Sequence, residues 1–117
     1  PDGELIALTR PRWIGTSNPP YKNWQWTRID ANLGGPNFIR LPDGALWASA
    51  RGRNEDGNSA TVLARMTRNS YEPALCLPSG GDCSYPGLVW HDDLLWMTYY
   101  SSHEGKTSIY LARIRLR

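Results

Sequence analysis

The sequence is poor in cysteine, in long apolar runs and in helical patterning, and each scarcity removes a class of protein. Its two cysteines, Cys76 and Cys83, fit no zinc pattern, because no second Cys or His pair accompanies them. Their spacing allows a bridge around residues 77–82 if strand geometry brings the Cα atoms close enough. Two unpaired thiols, buried or half-buried, are the simpler expectation, so the cysteines do not report the compartment. No apolar run approaches membrane-spanning length. No signal peptide is visible, although the first residue is Pro1 and a processed, trimmed or excised N-terminus would hide one. No window of helical length carries an unbroken 3.6-residue apolar stripe with caps. The formal charge of +2 is spread along the chain. Arg113, Arg115 and Arg117 alternate with Ile114 and Leu116 as on a solvated strand face, which argues against a nucleic-acid surface. Nothing in the composition calls for a metal or a cofactor.

What is present is turn chemistry and aromatic residues. Six Trp and six Tyr stand beside eleven Gly and nine Pro in 117 residues. That mixture suits one modest all-β domain with many turns. Residues 79–105 show the pattern: a Gly-rich approach, Tyr85 before a short apolar run, a tight turn at His91-Asp92-Asp93, then a second apolar run ending near Tyr99 and Tyr100.

The same layout occurs earlier, at 35–51. Asp2-Gly3 and Asp43-Gly44, each preceded by Pro, feed apolar strands that end on Arg10 and Arg51. Pro36-Asn37-Phe38-Ile39 parallels Pro86-Gly87-Leu88-Val89, Leu46-Trp47 parallels Leu95-Trp96, and Leu63-Ala64-Arg65 parallels Leu111-Ala112-Arg113. The offsets drift from 50 to 49 to 48, with 41 between the first two turns, as when loops change length and strands do not. A period of 41 to 50 residues with several strands per unit predicts a β-propeller of four-stranded antiparallel blades.

The expected strands are 5–10, 13–17 and 24–29 in a first unit, 38–41, 46–50, 61–66 and 71–77 in a second, and 88–90, 95–100 and 108–116 in a third. The units span about residues 1–33, 34–79 and 80–117, about two and a half blades, which is fewer than a closed ring needs. Such a partial propeller, with unpaired edges at both ends, is expected to form a homo-oligomer, to be part of a longer chain, or to pack as an open half-ring.

Three motifs resemble the sialidase-like propellers, the BNR or Asp-box repeat superfamily, over essentially the whole chain and in the manner of such a protein's C-terminal part. They are Pro-Asp-Gly-x-Leu-x-x-x-x-Arg at 1–10 and 42–51, Gly-Asp-x-Ser-Tyr at 81–85, and a worn Asp box of which Ser17 and Trp24 remain. The resemblance implies a carbohydrate ligand, specifically a sialoside, whose carboxylate is gripped by arginines. Planar guanidinium forks suit a carboxylate. A neutral phenol suits the nucleophile better than an anion, which that carboxylate would repel. By position, Arg10 and Arg51 are implied as substrate arginines and Tyr85 as nucleophile. The family's first arginine, its aspartate and the glutamate upstream of the first Pro-Asp-Gly turn have no counterpart here, so the implied site is catalytically incomplete. A non-catalytic protein assembling through open blade edges is the alternative.

Each candidate has a plainer reading. Arg10 and Arg51 also suit ordinary strand-end arginines that reach for water, and matched spacing is the argument for a site. Tyr85 also suits an aromatic packing at the head of a strand. Glu104, with His103, lies in the loop 101–106 and is a candidate substrate contact at a site mouth, or else the solvated tip of a hairpin. Asp92 and Asp93 are expected to form a turn. Trp47, Trp90 and Trp96 are expected in the inter-blade core. Trp13, Trp24 and Trp26 are expected to pack, with sugar stacking as the alternative.

Overall fold

A computed structural model describes residues 3–116 and is all-β, with no helix among the described residues. Ten strands run in chain order: β1 Leu5–Thr9, β2 Trp13–Ser17, β3 Gln25–Arg28, β4 Gly34–Arg40, β5 Leu46–Arg53, β6 Ser59–Met66, β7 Tyr71–Leu77, β8 Ser84–His91, β9 Leu94–Ser101 and β10 Ser108–Ile114. All pairings are antiparallel and join neighbours in sequence, giving open sheets β1-β2-β3, β4-β5-β6-β7 and β8-β9-β10.

Turn chemistry sets the registers. After β4, the Leu41 and Gly44 amides donate to Ala45 O and Leu41 O, Asp43 Oδ1 accepts from the Ala45 amide, and Gly44 sits at φ +87°. The equivalent Gly3 is at φ +86°, while Pro1 and Asp2 of that first copy lie outside the described residues. Between β8 and β9, Asp92 and Asp93 both take positive φ, 51° and 58°, as a two-residue primed hairpin requires. His91 and Leu94 then pair directly, and the turn role expected of the two aspartates is what they perform.

Period-2 alternation builds two cores from three stacked sheets. Ile6, Leu8 and Ile14 of the first sheet pack on Phe38, Leu46, Ala48, Ala50 and Met66, one face of the second. The opposite face, through Ile39, Trp47, Leu63 and Leu77, packs on Leu88, Trp90, Leu95, Met97 and Tyr99 of the third. Each fully buried Leu, Ile or Met contributes roughly 1.5–3 kcal/mol. Trp47 and Trp90 thus lie where the core expectation put them. Trp96 does not: it alternates with buried Leu95 and Met97, faces outward, and carries the Arg113 guanidinium 5.6 Å from its ring centroid.

Both cysteines are free. Cys83 is buried, but Cys76 is exposed, because β7 is the edge strand of its sheet and little covers it. Arg117 lies outside the described residues.

Candidate functional site

The cluster begins where β4 and β8 start. These two strands lie side by side as the first strands of consecutive sheets, tied by a hydrogen bond from Asn37 Nδ2 to Pro86 O at 2.9 Å. Both begin earlier than the apolar pattern predicts, at Gly34 and Ser84, and both are irregular, with register shifts between Gly34 and Asn37 and between Ser84 and Gly87. Such bulges re-aim side chains. In β8 the bulge puts Ser84 and Tyr85 at φ 106° and 47°, which non-glycine residues seldom adopt, and leaves Tyr85 60% exposed.

Tyr85 meets three neighbours. Arg10, in the turn after β1, donates from Nη2 to Tyr85 Oη at 2.7 Å, with its guanidinium carbon 5.6 Å from the ring centroid. Tyr100 on β9 stacks alongside, centroids 6.0 Å apart and planes 14° apart. Gly35 lies against the ring, and a Cβ there would stand 3.0 Å from Cδ1 and Cε1.

Arg51 joins through a carboxylate. Its Nη1 lies 3.3 Å from Asp82 Oδ1, which also accepts from Tyr100 Oη at 2.7 Å. The bond to Asp82, more than any other influence, pushes the Tyr100 hydroxyl above its ordinary pKa; burial and the carboxylate's charge act the same way, and Arg51 opposes them. Asp82 is largely solvated, so its pairing with Arg51 contributes under about 1 kcal/mol and exchanges readily for another anion.

The turn holding Arg10 is fixed by its backbone: the Ile29 and Leu33 amides donate to Arg12 O and Pro11 O, both at 2.9 Å, and both residues are buried. Beside it, Arg10, Arg51 and Arg53 line a cleft of about 250 Å³ with Asn32 and Gly34. Chemically, this is a cationic recess flanked by an exposed phenol.

Three of the four residues singled out from the sequence therefore come together: Arg10, Arg51 and Tyr85. Glu104 is placed elsewhere, in the β9–β10 turn, where its carboxylate accepts from Tyr110 Oη on the outermost strand. That bond is the main cause of Tyr110's raised pKa. His103 beside it meets Ser101 Oγ at 2.8 Å through Nδ1. Of the worn Asp box, Ser17 Oγ donates to Asn23 O at 2.6 Å and closes the β2–β3 loop, and Trp24 stacks on Trp26.

Sequence reasoning missed Asp82 and Tyr100. A signal existed for each. Asp82 is part of Gly-Asp-x-Ser-Tyr, and the offset of 49 that aligns Leu46 with Leu95 sets Tyr100 where the earlier copies have Arg51 and Arg10. The structure repeats that correspondence: Arg51 pairs with Gly34 and Tyr100 with Ser84, the first residues of the two bulged strands.

Among the described residues no group of His, Cys, Asp and Glu side chains is arranged to hold a metal ion. Among those residues no helix is long and apolar enough to cross a membrane. Compared with known proteins, the chain matches no family model, no curated protein and no solved structure.

Proposed function

We propose that this chain is a sialidase-like β-propeller module of about two and a half blades that binds the carboxylate of a sialoside at Arg10, Arg51 and Tyr85 and does not hydrolyse it. The observation that carries the reading is the 2.7 Å hydrogen bond between Arg10 and Tyr85, residues 75 apart in the chain and singled out from motifs alone. The stacked sheets, the paired bulges and the Ser17–Asn23 loop closure support the same reading. A ligand carboxylate would replace Asp82 on Arg51 and take a second fork from Arg10, with the Tyr85 hydroxyl beside the anomeric carbon. Turnover by a tyrosine nucleophile needs a base within hydrogen-bond reach of its hydroxyl. Among the described residues no carboxylate bonds Tyr85 Oη; Asp82, the carboxylate of the cluster, accepts from Tyr100 Oη instead.

Titration with sialyllactose, with lactose as the neutral control, tests this. Binding of the first alone, weakened about tenfold or more by Arg10→Ala and by Arg51→Ala, is the expected result. Equal binding of both sugars, or of neither, rejects it. Cleavage of a fluorogenic sialoside that Tyr85→Phe abolishes would overturn the claim of inactivity.

A second reading rests on the outer faces of the stack. Leu5, Trp13 and Trp26 are exposed on the first sheet, and Val89, Ile109 and Leu111 on the third. Copies joining first face to third would bury both and form a homo-oligomeric ring or a filament. A strictly monomeric mass at high concentration would reject assembly without touching the binding site.

A further inference from the structure

The cationic recess does not end at Arg10 and Arg51. A second cleft, about 360 Å³, adjoins the first and shares Asn32, Gly52 and Arg53 with it. Arg12 and Asp30 line its walls. Arg51 and Arg53 are two residues apart on β5, about 7 Å along the strand. Arg10 and Arg12 face them from the turn that the Ile29 and Leu33 amides anchor. The result is two stations in a row, Arg10 with Arg51 and then Arg12 with Arg53.

The second station is only lightly engaged. Arg53 Nη1 donates to the backbone oxygen of Gly57 at 3.0 Å, and Arg12 Nη2 to Asn32 Oδ1 at 3.3 Å. Neither guanidinium forms an ion pair among the described residues. Along the whole track four guanidiniums face two carboxylates, Asp30 and Asp82. A guanidinium whose partner is a neutral oxygen keeps its charge available for a ligand anion.

We infer that the two clefts form one track for an acidic glycan carrying an anionic group on successive sugars, with Arg12 and Arg53 holding the second anion. This rests on the binding proposed above and specifies its substrate class: an oligosaccharide with repeated carboxylates, bound more tightly than a single terminal acidic sugar. Two exposed forks in sequence raise affinity for the longer ligand and make it more sensitive to salt. Nucleic acid, also a polyanion, is disfavoured because the track offers few free ring faces to stack bases: Tyr85 at its head is already stacked on Tyr100, and Tyr71 in the second cleft is half-buried.

The test compares an α-linked sialic acid monomer, its tetramer, a neutral glucose tetramer and a short oligothymidylate, each titrated against the intact chain. The sialic acid tetramer is expected to bind about tenfold or more tighter than the monomer. Arg12→Gln is expected to erase that gain while leaving the monomer's affinity alone, and Arg53→Gln to weaken the tetramer at least as much. Thermal melts of both variants, expected at the wild-type temperature, establish that they fold. A tetramer no tighter than the monomer overturns the track and leaves the single-site reading standing. So does Arg12→Gln weakening both ligands equally, or oligothymidylate matching the tetramer. Failure of the wild type to bind the monomer rejects the single-site reading, and this inference with it.

Discussion

The starts of β4 and β8 are the same device built twice. Each is bulged, each turns through a positive-φ residue followed by proline, and each pairs its first residue with the inner end of the next strand. They differ in what occupies the turn. Gly35 sits at φ +57° without a side chain, and Tyr85 at +47° with a large one. A non-glycine residue in that region costs roughly 1–2 kcal/mol. Only one of the two positions carries the strain, and it is the one whose side chain meets Arg10. Gly35 supplies the space: a Cβ there would press to 3.0 Å from the Tyr85 ring. One copy has been emptied so that the other can be filled, a division of labour between repeats that neither copy shows by itself.

Filling the empty copy should have the largest effect. Gly35→Val puts a β-branched side chain at φ +57° and within 3.0 Å of the tyrosine ring. We expect a loss of about 2 kcal/mol and a melting temperature lower by roughly 10 °C. Sialoside binding should fall with it as the ring is displaced. Gly44→Val is the control, because it carries similar strain at φ +87° with Arg40 as its nearest neighbour at 3.9 Å. If both variants lose stability alike and both keep sialoside binding, Gly35 is a turn glycine and nothing more.

Much of this arrangement is legible in the sequence, and the parts that are not fail for identifiable reasons. Asp43-Gly44 and Asp92-Asp93 announce their turns, because few other residues take positive φ cheaply. Apolar runs bounded by turn residues place part of every strand. The heads of β4 and β8 escape notice because Gly34-Gly35 and Ser84-Tyr85 read as punctuation, whereas a bulge carries the ladder through them. Motif spacing, which follows the chain, singles out Arg10, Arg51 and Tyr85, and the fold brings them near one another. Asp82 and Tyr100 are missed because their importance comes from a contact between strands. Glu104, singled out from its loop, is held by Tyr110 toward the outermost strand.

The strand opposite each bulge extends the comparison to alkaline pH. Arg51 opposite Gly34 holds Asp82 through an ion pair, whereas Tyr100 opposite Ser84 holds it through a proton. Tyr100's pKa is raised above 10.0 on folding, first by that hydrogen bond. Its contribution is therefore complete below pH 10 and lost as pH rises through the raised value, because the unfolded chain gives up the proton first. Tyr71, pushed to about 12 by burial, acts in the same direction over pH 10 to 12. Urea midpoints measured across that window should fall for the wild type and fall less steeply for Tyr100→Phe. An unchanged slope would mean that the Asp82 bond does not form in solution.

The smallest effect should come from making the second copy resemble the first. Tyr85→Gly relieves the positive φ, a gain of about 1 kcal/mol, since glycine adopts that region freely. It also removes the stack on Tyr100 and the ring's contact with Gly35, a loss of roughly 0.5–1.5 kcal/mol. The two nearly cancel, so chemical denaturation should place the variant within about 0.5 kcal/mol of the wild type. Binding of a sialoside should nevertheless weaken, because Arg10 loses the hydroxyl that holds it. That combination separates strain kept for a ligand from strain that packing requires. A tyrosine serving the fold alone would lose well over 1 kcal/mol on removal, and sialoside affinity would then be the quantity left unchanged.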